Sequence, residues 1–405
     1  MNALQIARAA WRRSVPEGLR RKAAPVLNHV LQAYVRRAAR APHGAGLADG
    51  PIKIVGYFSG SHGIAASARL AARAFEAMGM PVERVDASHA ELTWLPRGAA
   101  PERASAWIFH LNPPELLAEM AALGPRRLVG PRYGYWAWEL PKAPVGWSKD
   151  ARIVDEVWAP STYTAQAYGA IRAPVRVVPH PLFEADYRDV APPPRRAAFQ
   201  VVSLFDFNSS VARKNPDGAI EAFRRAFADD PSAELTIKTQ NGGLFPDLLA
   251  RLQALCPPNV RLVDETWSYG DVQALIAGAD VLMSLHRAEG FGLTLAEAMA
   301  LGCPVVATGF SGNLDFMDET NSLLVPYAMV PVQDPQAIYR KQSWANPDIA
   351  VAAAGLTRLR DDPVLRRRLA EAGRSTVRER LSPEAWFKTL PDSLQAAALR
   401  LKADA

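Results

Sequence analysis

At 405 residues the chain is too long for one ordinary hydrophobic core, so two domains are expected. With 49% hydrophobic and 22% charged residues it reads as a water-soluble fold, and no run suits a membrane span or a signal peptide. The net charge of +6 sits at one end: residues 1–50 hold nine Arg and Lys against Glu17 and Asp49, so the remainder carries about −1, which speaks against a nucleic-acid partner. Two cysteines, Cys256 and Cys303, predict a reducing, cytoplasmic setting without a disulfide framework or a zinc cluster.

Residues 1–40 carry two weakly amphipathic helical patterns, with Leu4, Ala7 and Trp11 on one face and Leu27, Leu31 and Tyr34 on another. Arginines cover the opposite faces, and Pro16 and Pro25 punctuate the run. Such a leader can lie on anionic lipid at the inner face of a membrane, each basic residue adding roughly 1 kcal/mol. Alternatively it packs on the body as a helical extension. An Arg-rich N-terminus also resembles a transit peptide, but Ser14 is its one serine. Residues 41–50 read as a linker, closing a leader of 1–50.

A first domain is expected over 51–182. The apolar strand Ile52–Tyr57 precedes a turn flanked by Gly60 and Gly63 and a helix from Ala66 to Met78, the opening unit of a doubly wound α/β fold. Further strands are predicted at Val82–Val85, Ala106–Leu111, Arg127–Val129 and Val154–Ala159, and the alternation with helices implies a parallel sheet. His110 ends one of these strands, where α/β sheets expose functional groups; a core histidine bonded to backbone is the alternative. The segment 134–147 carries three tryptophans, which core packing explains, and Glu139 is its member expected to face a cleft. Residues 183–198, with three consecutive prolines, form a stiff connection.

A second domain is expected over 199–380. It opens with the strand Phe199–Leu204, followed by Arg213 and Lys214 just ahead of a helix capped by Asn215 and Pro216. Cations at that place can neutralise a diphosphate, or they form a solvated loop pair. Strands at Leu235–Lys238 and Val260–Val263 and a helix at Asp271–Ala277 lead to the stretch 281–307. There a buried strand, a glycine-bracketed loop, a short helix and a second buried strand follow in order. Glycosyl transfer from a nucleotide diphosphate needs hydroxyls held precisely and growing charge on the leaving phosphate stabilised. Gly290 and Gly292 admit close backbone approach, and the amides of Phe291, Leu293 and Thr294, at a helix start, suit a phosphate. Glu297 can accept both hydroxyls of a ribose, and Glu289 those of the donor sugar. The helix around Glu297 is too apolar for that carboxylate to face open water, and a buried carboxylate needs a partner.

The run Glu289-Gly-Phe-Gly-Leu-Thr-Leu-Ala-Glu297 is an E-x7-E motif, and with it the chain resembles the retaining glycosyltransferases of family four. Arg213-Lys214-Asn215-Pro216, the Gly60–Gly63 turn and the SPEAW segment at Ser382 extend the likeness, which covers roughly residues 50–395. It implies a GT-B fold, two Rossmann-like α/β domains facing a cleft, with a crossover helix over 382–400 returning to the first domain. It also implies that Glu297 binds the ribose, Glu289 the sugar, and Lys214 with Arg213 the diphosphate. Gly63 would approach the diphosphate from the first domain, and His110 would contact the donor sugar. The chain departs from the pattern after its strand Phe199–Leu204, where Phe205-Asp206-Phe207 stands in place of a frequent arginine.

No Asp-x-Asp pair occurs, so a metal-independent retaining transfer is expected, with no cofactor beyond the donor itself. The expected donor is a nucleotide diphosphate hexose, by resemblance GDP-mannose, and the acceptor a glycan or a lipid-linked glycan of surface polysaccharide synthesis. A sugar-nucleotide epimerase of related fold and a non-catalytic nucleotide-sugar-binding scaffold are the rival readings.

Overall fold

The computed structural model describes residues 17–39, 47–60, 62–88, 98 and 100–403. The pattern of Leu4, Ala7 and Trp11 lies outside them. Helix α1 (Glu17–Ala38) runs through Pro25 rather than breaking there. Its buried stripe is Leu31, Val35 and Ala39, spaced four residues apart, while Tyr34 is 41% exposed. The expected face pairing Leu31 with Tyr34 is therefore corrected: the helix turns Val35 inward. Arg36 fastens it to the buried Asp150 at 2.6 Å.

In the first domain, β1 (Ile52–Gly56), α2 (Gly63–Ala77), β2 (Val82–Asp86), β3 (Ala106–Phe109) and α3 (Pro113–Leu123) follow in order. Then come β4 (Arg132–Tyr135), β5 (Glu156–Ala159), α4 (Thr162–Ala167) and β6 (Val175–Val177). The strands form one parallel sheet in the order β2-β1-β3-β4-β5-β6. The strand expected at Arg127–Val129 shrinks to Leu128–Val129, paired with Glu102–Arg103 outside that sheet. The place in the sheet goes to β4, whose residues Arg-Tyr-Gly-Tyr look polar in sequence yet are all buried. Arg132 tolerates this because its guanidinium donates to the carbonyls of Ala39 and Leu128.

A short helix α5 (Ala185–Arg188) lies in the connection to the second domain. There β7 (Phe199–Leu204), α6 (Val211–Lys214), α7 (Pro216–Phe227), β8 (Ala233–Thr239), α8 (Pro246–Leu255) and β9 (Val260–Asp264) alternate. Next come α9 (Tyr269–Ala277), β10 (Val281–Ser284), α10 (Leu293–Leu301), β11 (Val305–Thr308) and β12 (Leu323–Val325). The parallel order is β9-β8-β7-β10-β11-β12. Because β7 and β10 are neighbours, the loops after both strands open at one point of the sheet's carboxyl edge, where α/β folds bind ligands.

An antiparallel arm, β13 (Tyr327–Pro331) with β14 (Ser343–Pro347), interrupts the alternation and has no counterpart in the sequence reading. Helices α11 (Ile349–Asp361) and α12 (Pro363–Leu381) follow, then α13 (Pro383–Phe387) and α14 (Asp392–Ala403). Trp386 packs edge-on against Phe75 at 4.9 Å, and Leu390, Leu394 and Ala398 enter the first domain's core. The end of the chain thus ties the second domain back onto the first.

Candidate functional site

Ser210 and Asn215 cap two successive helices and so hold Arg213 and Lys214 at the mouth of β7. Ser210 Oγ accepts from the Arg213 amide at 3.2 Å, and Asn215 donates to the Leu285 carbonyl at 2.8 Å, stitching this turn to the end of β10. Lys214 Nζ meets Glu289 Oε1 at 2.6 Å, and Arg213 approaches the same oxygen at 3.2 Å. Burial would raise the Glu289 pKa, but Lys214 and Arg213 outweigh it and hold the carboxyl at about 2. Glu289 is therefore ionised at every physiological pH. The two cations differ in access: the Arg213 side chain is 4% exposed and donates to the Ala288 carbonyl, whereas that of Lys214 is 21% exposed at the opening. Lys214 is the cation a ligand can reach, and Arg213 acts behind it.

The glycine loop is held from both sides. The Glu289 amide donates to Ser311 Oγ at 2.7 Å, and the Gly312 amide donates to the Glu289 carbonyl at 3.0 Å. Gly312 presses so closely that a Cβ there would lie 2.2 Å from the Gly290 carbonyl oxygen. Gly292 takes φ +94°, a region L side chains avoid, and this turns the chain into α10. Among the described residues the amides of Phe291, Gly292, Leu293 and Thr294 have no backbone acceptor. Four amides without a backbone acceptor at a helix start, in the loop that carries Glu289, suit an anion.

Glu297, on the second turn of α10, is half-buried and accepts a hydrogen bond from Tyr269 at 2.7 Å. Burial pushes its carboxyl up to about 7, against the Tyr269 hydrogen bond, and no cation among the described residues offsets the burial. Tyr269 in turn meets Tyr187 of α5 at 3.2 Å, which connects Glu297 to the interdomain segment. Glu289 thus stays ionised while Glu297 titrates close to neutral pH, because one has two cations and the other a tyrosine.

The first domain meets this wall directly. Ser161, which caps α4, donates to the Gly290 carbonyl at 2.6 Å, the Thr164 hydroxyl lies 3.0 Å from the same oxygen, and the Thr162 amide donates to Asp315 at 2.6 Å. Gly63 begins α2 on the exposed edge with open space around it. Burial and the nearby Arg69 lower the pKa of His62 beside it, against the charge of Asp206 beyond β7. His110 does not reach the cleft surface. It is 1% exposed, bonded through Nδ1 to Ser67 at 3.0 Å and stacked on Tyr135 at 4.4 Å. Burial and the neighbouring His180 push its pKa down to about 3, so it is neutral, and its Nε2 has no partner.

Other members of the site come from distant parts of the chain, and of these Glu139 was expected at a cleft. Glu139 receives the Tyr339 hydroxyl at 2.9 Å and stands 3.9 Å from Arg213. Tyr339 sits at the tip of the β13–β14 arm, which also exchanges two hydrogen bonds between Gln342 and Lys142. His180 packs edge-on against Phe291 at 4.7 Å, one domain on the other. No local pattern marks Tyr339, Gln342 or His180, because each meets its partner across 100 residues or more. No group of three or more His, Cys, Asp or Glu among the described residues is placed to hold a metal. A cavity of about 490 Å³ lies apart from this site, between α9 and the proline connection, lined by Pro193, Val202, Arg261 and Trp267 among others.

Residues 207–376 match the family model for glycosyl transferases group 1. The GDP-mannose-dependent monoacylated alpha-(1-6)-phosphatidylinositol monomannoside mannosyltransferase of Corynebacterium glutamicum is 27% identical over 193 residues, 46% of this chain and 45% of that protein. The UDP-N-acetylglucosamine–peptide N-acetylglucosaminyltransferase GtfA subunit of Streptococcus gordonii is 30% identical over 138 residues, 33% of this chain and 26% of that protein. The chain therefore spans less than half the length of either curated relative. The Anabaena protein HepE, solved with UDP and glucose, is 14% identical with a TM-score of 0.58, over 87% of this chain and 99% of that one. The fold is GT-B, two Rossmann-like domains.

Proposed function

We propose that the chain is a retaining, metal-independent glycosyltransferase that moves a hexose from a nucleotide diphosphate to a glycan or lipid-linked acceptor. The observation that carries this reading is the reachable Lys214–Glu289 pair beside four unpaired amides at the start of α10. A diphosphate seated there meets Lys214 and the helix N-terminus, and both gain strength as negative charge grows on the leaving group. Glu297 accepts the ribose hydroxyls and Glu289 those of the sugar. The leaving phosphate takes the acceptor's proton on the face it departs from, which preserves the anomeric configuration and needs no protein base. GDP-mannose is the preferred donor, in keeping with the C. glutamicum relative, whose name states that dependence.

Thermal unfolding with GDP-mannose, UDP-glucose and an ADP-sugar tests the site. A donor at a hundred times its dissociation constant should add about 2.7 kcal/mol of stability, and Lys214→Ala should remove most of that gain. If none of them shifts the wild-type transition, the reading fails. Donor turnover without a transfer product would instead favour the epimerase, and intact glycan synthesis in cells carrying Lys214→Ala would favour the scaffold.

The acceptor proposal extends to the membrane surface. No described helix is long and apolar enough to cross a bilayer. Val26 and Val30 of α1 are exposed in a segment of strong positive charge, a composition suited to anionic headgroups. Co-sedimentation with phosphatidylglycerol vesicles should exceed that with phosphatidylcholine and fall in high salt; equal binding to both would rule the contact out.

A further inference from the structure

The family resemblance assigns the first domain's sugar contact to His110, yet His110 is sealed beneath Tyr135 and Ser67. We propose that Glu139 makes that contact instead, as a second carboxylate on the hexose that Glu289 grips. This inference rests on the donor-site reading above.

Three observations place Glu139 there. Its backbone is immobilised: the Ala137 amide donates to Asn112, Thr164 donates to the Trp138 carbonyl, and Tyr163 donates to that of Glu139 itself. Its carboxylate is oriented, since Oε2 accepts the Tyr339 hydroxyl while Oε1 accepts no hydrogen bond among the described residues. Its stem borders the glycine loop, 3.7 Å from where a Cβ on Gly290 would stand. Arg213 completes the arrangement. One guanidinium lies 3.2 Å from Glu289 and 3.9 Å from Glu139, so a carboxylate from each domain shares one buried cation. Among the described residues each carboxylate keeps an oxygen without a hydrogen-bond donor, Oε2 on Glu289 and Oε1 on Glu139. Two carboxylate oxygens left open beside one guanidinium, one from each domain, match a ligand with several hydroxyl donors, which is the chemistry of a pyranose. The contact requires both domains.

Calorimetric titration of the full chain compares UDP with UDP-glucose and GDP with GDP-mannose. The wild-type chain should bind a sugar nucleotide more tightly than the matching nucleotide. In Glu139→Gln the nucleotide affinity should stay within about two-fold, while the gain due to the sugar shrinks roughly 10- to 100-fold, the worth of a hydrogen bond to a charged group. Tyr339→Phe should lose part of that gain and His110→Gln none of it. Equal loss of nucleotide and sugar-nucleotide affinity in Glu139→Gln would make Glu139 a domain latch and overturn the proposal. So would an undiminished sugar gain, or a wild-type affinity blind to the sugar. A wild-type chain that binds no nucleotide at all would fell the donor-site reading first.

Discussion

Glu289→Ala is expected to be the most damaging single substitution at the cleft, for two separable reasons. It leaves Arg213 buried without its main counterion and frees Lys214 from its fixed position. Breaking a buried ion pair by removing one partner costs about 3–5 kcal/mol, because the remaining charge is uncompensated. Chemical unfolding at neutral pH checks this, and a loss below about 1 kcal/mol would show that solvent screens the pair. Under the proposed function the same variant should lose transfer by roughly 100- to 1000-fold, the scale of one lost electrostatic contact at a reacting centre. The variant Glu289→Gln keeps the shape and leaves an amide oxygen for Arg213 and Lys214. It should recover part of the stability and none of the activity, which separates folding from chemistry.

Glu297→Gln should stabilise the unliganded protein at pH 8 and leave it nearly unchanged at pH 4. In the unfolded chain a glutamate releases its proton near pH 4.5, whereas burial holds that of folded Glu297 to about pH 7. Between those values the folded state binds more protons, so this group's contribution to stability falls as pH rises from 4.5 to 7 and is flat above. The amide avoids that loss, which amounts to about 2–3 kcal/mol at most for a half-buried group. Melting curves at pH 4, 6 and 8 decide it: a difference between variant and wild type that does not grow with pH refutes the assignment. The same variant should weaken nucleotide binding, because a neutral amide is a poorer acceptor for ribose hydroxyls than a carboxylate.

Much of the donor wall was legible in the linear chain because its parts are close in sequence. The loop 289–297 supplies two carboxylates, four amides and a helix start within nine residues, and hydrophobic period alone places a buried strand on either side. The turn 213–216 needs only a cap and a proline to be read as the start of a helix. Elsewhere packing overrides local chemistry. Arg132-Tyr-Gly-Tyr fails every apolar-strand test, yet it fills the fourth place in the first sheet because its arginine finds two buried carbonyls. His110 occupies the sheet edge where a functional group was expected, and Tyr135 and Ser67 close over it.

The sequence by itself determined that this is a two-domain α/β chain with a glycine-bracketed loop opening a helix, since strand and helix periods, glycine turns and caps act over a few residues. Only the tertiary structure decided which groups share the cleft. Glu139, Arg213 and Glu289 lie 74 and 76 positions apart along the chain, and Tyr339 a further 50, yet they form one cluster. Their proximity follows from how two sheets and an inserted arm pack, a sum of many weak long-range contacts that leaves no trace in local spacing. The difference between Lys214, open to a ligand, and Arg213, buried one residue earlier, has the same origin: the turn of a four-residue helix points one cation outward and the other beneath Tyr339.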